Sequence, residues 1–221
     1  MNGRPVGRPI AALAGLVLAT ASALAGGKLE VSRVSGGAST PATVYPGPTP
    51  APTPAPVPPQ ALPPSHAAYL KLGAASFELP NREIKETDFQ LDLLGAGPTT
   101  LSSWRGELIL LNFWATWCPS CREEIPSMQR LYARLASRGL TIVAVDLSET
   151  RDVVKRFVAQ NKMTYPVLLD TSGSIGALYE AQSLPTTYVI DRTGTVLART
   201  VGSRTWDSPE MVSLLESLLA G

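Results

Sequence analysis

The stretch "ELILLNFWA" (residues 107–115) does most to limit what this chain can become. It is apolar almost without interruption. A strand with one wet face alternates apolar and polar residues, whereas a strand buried on both faces reads as a continuous apolar run. Such a strand requires a sheet covered by helices on both sides. The neighbouring sequence supplies them. Ile125, Met128, Leu131, Tyr132 and Leu135 recur at helical spacing, and Gly139 ends that helix. "LTIVAVDL" (140–147) is the next strand, and Ser148 is expected to cap a helix carrying Val153, Val154, Phe157 and Val158.

The alternation continues to the end of the chain. "YPVLLD" reads as a strand and "GSIGALYEA" as a short helix. "TTYVIDRTGTVLARTV" is a hairpin turning at Arg192–Gly194. "SPEMVSLLESLLA" closes as a helix, with Ser208 as its cap and Pro209 in its first position. Upstream, Phe89, Leu91 and Leu93 alternate before Gly95 and Gly97, which predicts another hairpin. The expected fold class is α/β: a mixed central sheet, parallel in its middle, flanked by helices. One domain over residues 70–221 accommodates all of this. Hydrophobic residues at 44% of the chain suffice for its core.

Residues 1–69 have a different character. They carry Arg4, Arg8, Lys28 and Arg33 against Glu30, whereas the rest of the chain carries 15 basic and 17 acidic residues. A basic start precedes the apolar run "IAALAGLVLATASALA" (10–25), which is the pattern of a targeting segment. As a helix it would span roughly 24 Å, short for a hydrocarbon core of about 30 Å. "ALA" at 23–25 fits a small-residue cleavage site. Residues 1–25 are therefore read as a signal peptide or an N-terminal membrane anchor. Residues 26–69 are read as a Pro-rich disordered linker, since 11 of the chain's 20 prolines fall between Pro41 and Pro64. Extended, that segment would reach roughly 75 Å. A spacer of this kind gives reach only to a domain that stays attached, which favours the anchor. His66, the chain's single histidine, is read as solvated. The net charge of +1 gives no reason to expect a nucleic-acid partner.

The chain's two cysteines are Cys118 and Cys121, within "WATWCPSCREEIP". Zinc would need more ligands than they provide. Haem attachment would need a histidine where Arg122 stands. A structural disulfide closing so short a loop would stabilise little. A redox dithiol remains. The spacing places Cys118 at a helix N-cap, Pro119 at N1, Ser120 at N2 and Cys121 at N3. The N–H groups of Ser120 and Cys121 are then expected to point at the Cys118 sulfur and stabilise its thiolate. Cys118 is the expected attacking thiol and Cys121 the more buried resolving one.

These residues resemble the thioredoxin superfamily, and within it the membrane-tethered, extracytoplasmic TlpA-like, ResA-like and CcmG-like thiol-disulfide oxidoreductases. The resemblance covers roughly residues 84–219 and rests on "NFWATWCPSCREEIP", "LPTTYVID" and "DFQLDLLG…LSSWRGELILLNFWA". It implies a thioredoxin-like fold with an N-terminal β-hairpin and a central strand–helix insert near residues 165–181. It implies that Cys118 and Cys121 are the redox pair and that Pro185 is a cis-proline facing them. Leu184 would offer its backbone to an incoming peptide. Pro126 matches a helix-kinking proline, and Glu124 an acidic residue that handles a proton. Trp117, Pro119, Ser120, Leu184 and Thr186 are the expected substrate-binding residues.

Asn112 departs from the pattern, because thioredoxins carry a buried acid six residues before the first cysteine; proton handling then falls to Glu124 or water. The Pro119–Ser120 dipeptide carries no histidine and favours a reductant. The resemblance further implies no cofactor beyond the Cys118–Cys121 disulfide and no metal. The implied partners are disulfide-containing proteins, apocytochrome c among them, and a membrane thiol donor, with a membrane contact through residues 10–25 and a monomeric domain. The location implied is the outer face of a bacterial cell membrane, or secretion if the signal is cleaved. Two other classes lack their signatures in the chain. A peroxiredoxin-like peroxidase needs Pro-x-x-x-Thr-x-x-Cys, which neither cysteine has; Leu111 and Ala115 stand at those positions before Cys118. A thioredoxin-fold binding module or copper chaperone would want a histidine beside the cysteines.

Overall fold

A computed structural model describes residues 66–220. The proposed targeting segment and the proline-rich stretch lie outside the described residues. Among the described residues no helix is long and apolar enough to cross a membrane.

Seven strands form one sheet in the order β2-β1-β5-β4-β3-β6-β7. They are β1 Gln90–Leu93, β2 Pro98–Thr100, β3 Leu108–Trp114, β4 Leu140–Leu147, β5 Val167–Asp170, β6 Thr186–Ile190 and β7 Val196–Val201. The three central strands, β5-β4-β3, run parallel. The β1–β2 hairpin joins β5 antiparallel, and the β6–β7 hairpin joins β3 antiparallel. Every residue of β3 is buried, as its continuous apolar run requires. Its alternate side chains feed two cores. Leu108, Leu110 and Trp114 face one, with the helices α2 Pro119–Leu135 and α5 Pro209–Leu219; Ile109, Leu111 and Phe113 face the other, with Tyr179. The remaining helices are α1 His66–Ala74, α3 Arg151–Gln160 and α4 Ser174–Leu178. This is the mixed α/β sheet flanked by helices that the sequence implies.

Local chemistry explains most boundaries. Ser208 caps α5, accepting from the Met211 N–H at 3.2 Å, with Pro209 following. After α2 a short 3₁₀ turn, Ala136–Arg138, leads to Gly139 at φ +94°, a conformation that glycine adopts without steric cost. Among the described residues α1 begins at His66, and its Leu72 is fully buried. Two details differ from the sequence reading. Ser148 does not cap α3; it takes a left-handed φ of +63°, and Thr150 is the N-cap, without a side-chain bond. Beyond β7, the chain's own residues 78–86 lie alongside as an irregular segment. Glu78 exchanges two backbone hydrogen bonds with Arg199, and Val196 N–H donates to Ile84 O.

Candidate active site

β3 ends at Trp114, and the turn that follows delivers Cys118 to the N-cap of α2 with Pro119 at N1. The two cysteines are joined in a disulfide. The Cys121 N–H donates to the Cys118 sulfur at 3.2 Å. Ser120 contributes through its hydroxyl, 3.4 Å from that sulfur, and not through the backbone N–H expected of it. The N-terminal end of α2 adds its positive partial charge. Both cysteines are nearly enclosed, Cys121 completely and Cys118 at 3% exposure.

The Leu184–Pro185 bond, just before β6, is cis, the geometry the resemblance implies. The Ser120 hydroxyl lies 3.4 Å from Leu184 O, so the motif and this loop meet directly. Around them Trp117 is 66% exposed, and Pro119 is exposed too. Thr186 differs from expectation. Its side chain is fully buried and its hydroxyl donates to Ser183 O at 2.6 Å. It therefore shapes the turn before Pro185 and presents no side chain to a client.

Glu124 lies one turn along α2 from Cys121, on the same helix face, and is only 2% exposed. An isolated carboxylate there would be costly. Three neighbours offset part of that cost. Asn112 Nδ2, from β3, donates to Oε1 at 2.9 Å and also to Thr187 Oγ1 of β6. Trp206 Nε1 and Arg204 N–H donate to Oε2 at 2.9 and 3.2 Å. Burial still dominates and pushes the Glu124 carboxyl up to about 7, with the Trp206, Asn112 and Arg204 bonds opposing it. Asn112, the departure noted in the sequence, is thus a partner of the buried acid.

Trp206 and Arg204 were not singled out from the sequence. They lie about 80 residues from Glu124 in a loop before α5, and no periodic pattern marks so distant a contact. The Arg204 guanidinium donates to Ala75 O, Ser76 O and Thr200 Oγ1 and sits 4.4 Å from the Phe77 ring centroid. The segment that follows α1 is thereby fastened behind the acid.

Known proteins resemble the chain in sequence and in fold. The AhpC/TSA family matches residues 76–199. The chain belongs to that family. The thiol-disulfide oxidoreductase ResA of Oceanobacillus iheyensis is 37% identical over 131 residues, 59% of this chain and 67% of that protein. The thioredoxin-like protein YneN of Bacillus subtilis is 38% identical, over 53% of this chain and 70% of its own. Among solved structures, a putative thiol:disulfide interchange protein DsbE from Chlorobium tepidum superposes with a TM-score of 0.58 at 32% identity, covering 63% of this chain and 98% of that one. This AhpC/TSA member is an enzyme, a ResA-like thiol-disulfide oxidoreductase with a thioredoxin-like fold.

Proposed function

We propose that the chain reduces protein disulfides outside the cytoplasm, with Cys118 as nucleophile, Cys121 as resolving thiol and Glu124 as proton acceptor. The observation that carries this reading is the position of the two cysteines at the head of α2, with a buried acid one turn below. In the reduced protein the Cys118 thiolate attacks one sulfur of a client disulfide, and the client's other sulfur leaves as a thiolate that takes a proton from solvent. Cys121 then gives its proton to Glu124 and attacks the Cys118 sulfur. The client leaves with its second thiol, and the disulfide of the present structure is restored. Two electrons pass to the client, and a membrane thiol donor would resupply them.

Trp117, Pro119, Ser120 and the Leu184 backbone would receive the client chain. Apocytochrome c, whose cysteine pair must be reduced before haem attachment, is the client class this reading favours. Residues 1–25 would direct the domain across the membrane, and residues 26–69 would space it from the surface. The "ALA" site leaves signal cleavage as the alternative topology.

Iodoacetamide labelling of the reduced protein against pH tests the chemistry. Cys118 should react first, with an apparent pKa inside the ~3.5–7.5 range of activated thiols. Faster labelling of Cys121, or a Cys118 transition near the ordinary ~8.5, would refute the assignment. A Cys121→Ser variant should accumulate mixed disulfides through Cys118.

A further inference from the structure

Two aspartates lie buried near the ends of adjacent parallel strands, one register step apart, and only one is provided for. Asp170 of β5 accepts from the backbone N–H groups of Ile175 and Gly176 at 2.9 Å and from the Ser172 hydroxyl at 3.1 Å. Asp146 of β4 is equally inaccessible, paired in register with Trp114 on one side and Leu169 on the other. Neither of its oxygens has a hydrogen-bond partner among the described residues. What faces it is a second carboxyl, that of Glu149: burial raises the Asp146 carboxyl, the Glu149 side chain adds to the rise, and the Glu149 N–H opposes it. Both Glu149 oxygens are already engaged as acceptors. Oε2 takes the Thr116 N–H and Oε1 the Thr116 hydroxyl, each at 2.6 Å. Two carboxyls in such contact need a proton between them. Glu149 is committed as acceptor to Thr116, so the proton belongs to Asp146.

We propose that Asp146 is a positioning residue for the redox motif: its carboxyl proton is donated to Glu149, and the chain Asp146–Glu149–Thr116 fixes the turn that carries Cys118. Burial is the main cause that holds the Asp146 carboxyl up to about 8, and the Glu149 side chain adds to it. Removal of that proton sets two carboxylates against each other and weakens the hold of Glu149 on Thr116. The charged groups around Asp146 are few. Asp170 adds its repulsion from β5. Asp152, Lys155 and Arg156 of α3 are exposed. On α2 the groups nearest the motif are the cysteine pair and Glu124, with Arg122 and Glu123 exposed. The loop transition is independent of the thiol–disulfide reading; its effect on Cys118 rests on that reading.

The test uses the oxidised full-length protein in a Glu124→Gln background, so that neither the cysteines nor the acid at position 124 titrates. The Thr116 amide resonance is followed from about pH 6 to 9. It should titrate with a midpoint near that of the Asp146 carboxyl, and its hydrogen exchange at the alkaline end should be about tenfold faster than when Asp146→Asn is added, since a charge-assisted bond is weakened in one case and kept in the other. Asparagine keeps a donor towards Glu149 at every pH, so the doubly substituted protein should show no transition. A transition that persists with Asp146→Asn, or a Thr116 amide that does not move in either protein, overturns the proposal. If that substitution prevents folding, carbon NMR of the Asp146 carboxyl in the Glu124→Gln protein decides instead, and titration in the ordinary carboxylate range overturns it. With the reduced protein, Cys118 labelling should gain an alkaline inflection that Asp146→Asn removes. Absence of that inflection while the Thr116 transition stands would overturn the positioning of Cys118 by Asp146 and leave the thiol–disulfide reading standing.

Discussion

Replacing Glu124 by Gln should remove a large part of the pH dependence of stability between about pH 4.5 and 7, and the size of the effect follows from the site. In the folded protein the carboxyl keeps its proton to about 7, while the unfolded chain releases it near 4.5. Between those values the folded state binds the extra proton, so folding is progressively disfavoured as pH rises. The stabilisation is fully present below about 4.5 and is lost by the time pH passes about 7. At about 1.4 kcal/mol per pH unit this amounts to roughly 3 kcal/mol, an appreciable share of the ~5–15 kcal/mol typical of a domain.

Gln can be accommodated, because its oxygen can stay with Arg204 N–H and Trp206 Nε1 while its amide faces Asn112. A flip of the Asn112 amide would then present Oδ1 both to Gln and to the Thr187 hydroxyl. Glu124→Ala would instead leave three buried donors without an acceptor, at about 1–3 kcal/mol each. The assay is urea denaturation of the oxidised protein at several pH values. Asp146 titrates in both proteins, so the quantity to read is the difference between them. That difference should change by roughly 3 kcal/mol in favour of the Gln variant as pH rises from about 4.5 to 8. A difference that stays constant over the range would refute the buried-acid argument.

Trp117→Ala, at a 66% exposed position, should leave stability within about 0.5 kcal/mol yet lower kcat/KM for protein disulfides; equal loss on a small disulfide would argue against client contact. Ser208→Ala should cost about 1 kcal/mol, whereas Thr150→Ala, at a cap without a side-chain bond, should cost much less, as thermal unfolding of the two would show. Gly194→Ala should destabilise by at least about 1 kcal/mol, because φ is +84° and a Cβ would run into the Glu86 carboxylate, itself held by Arg105 Nε at 2.8 Å; an unchanged Tm would show that Glu86 is free to move.

The parts of the fold that were legible in the sequence are those with a local signature. β3 announced itself by a run that no half-exposed strand tolerates, and α5 by Ser208 and Pro209 in consecutive positions. Cys118 and Pro119 fixed the start of α2 in the same way. Where the reading failed, the deciding interaction was distant or directional. Ser148 is an acceptable cap by composition, but the chain needs a left-handed residue there, so the helix begins two positions later. Thr186 was grouped with the expected substrate-binding residues, although strand pairing turns its side chain inward. Nothing near Glu124 in sequence foretells Trp206. Asp146 stands next to last in "LTIVAVDL", and its unmet hydrogen bonds became visible only with its neighbours in place.

The segment that lies along β7 bears on how the molecule avoids aggregating with its own copies. A sheet edge with free N–H and C=O groups is a template on which another chain can polymerise. Here Glu78 and Ile84 already occupy the backbone groups of Arg199 and Val196. The opposite edge, β2, is three residues long and begins with Pro98, which has no N–H to give. The sheet therefore protects its own margins without an oligomeric partner. Loss of the residue 78–86 segment from β7, by proteolysis or partial unfolding, would expose a ladder next to apolar core and open the sheet to pairing with other copies of the chain.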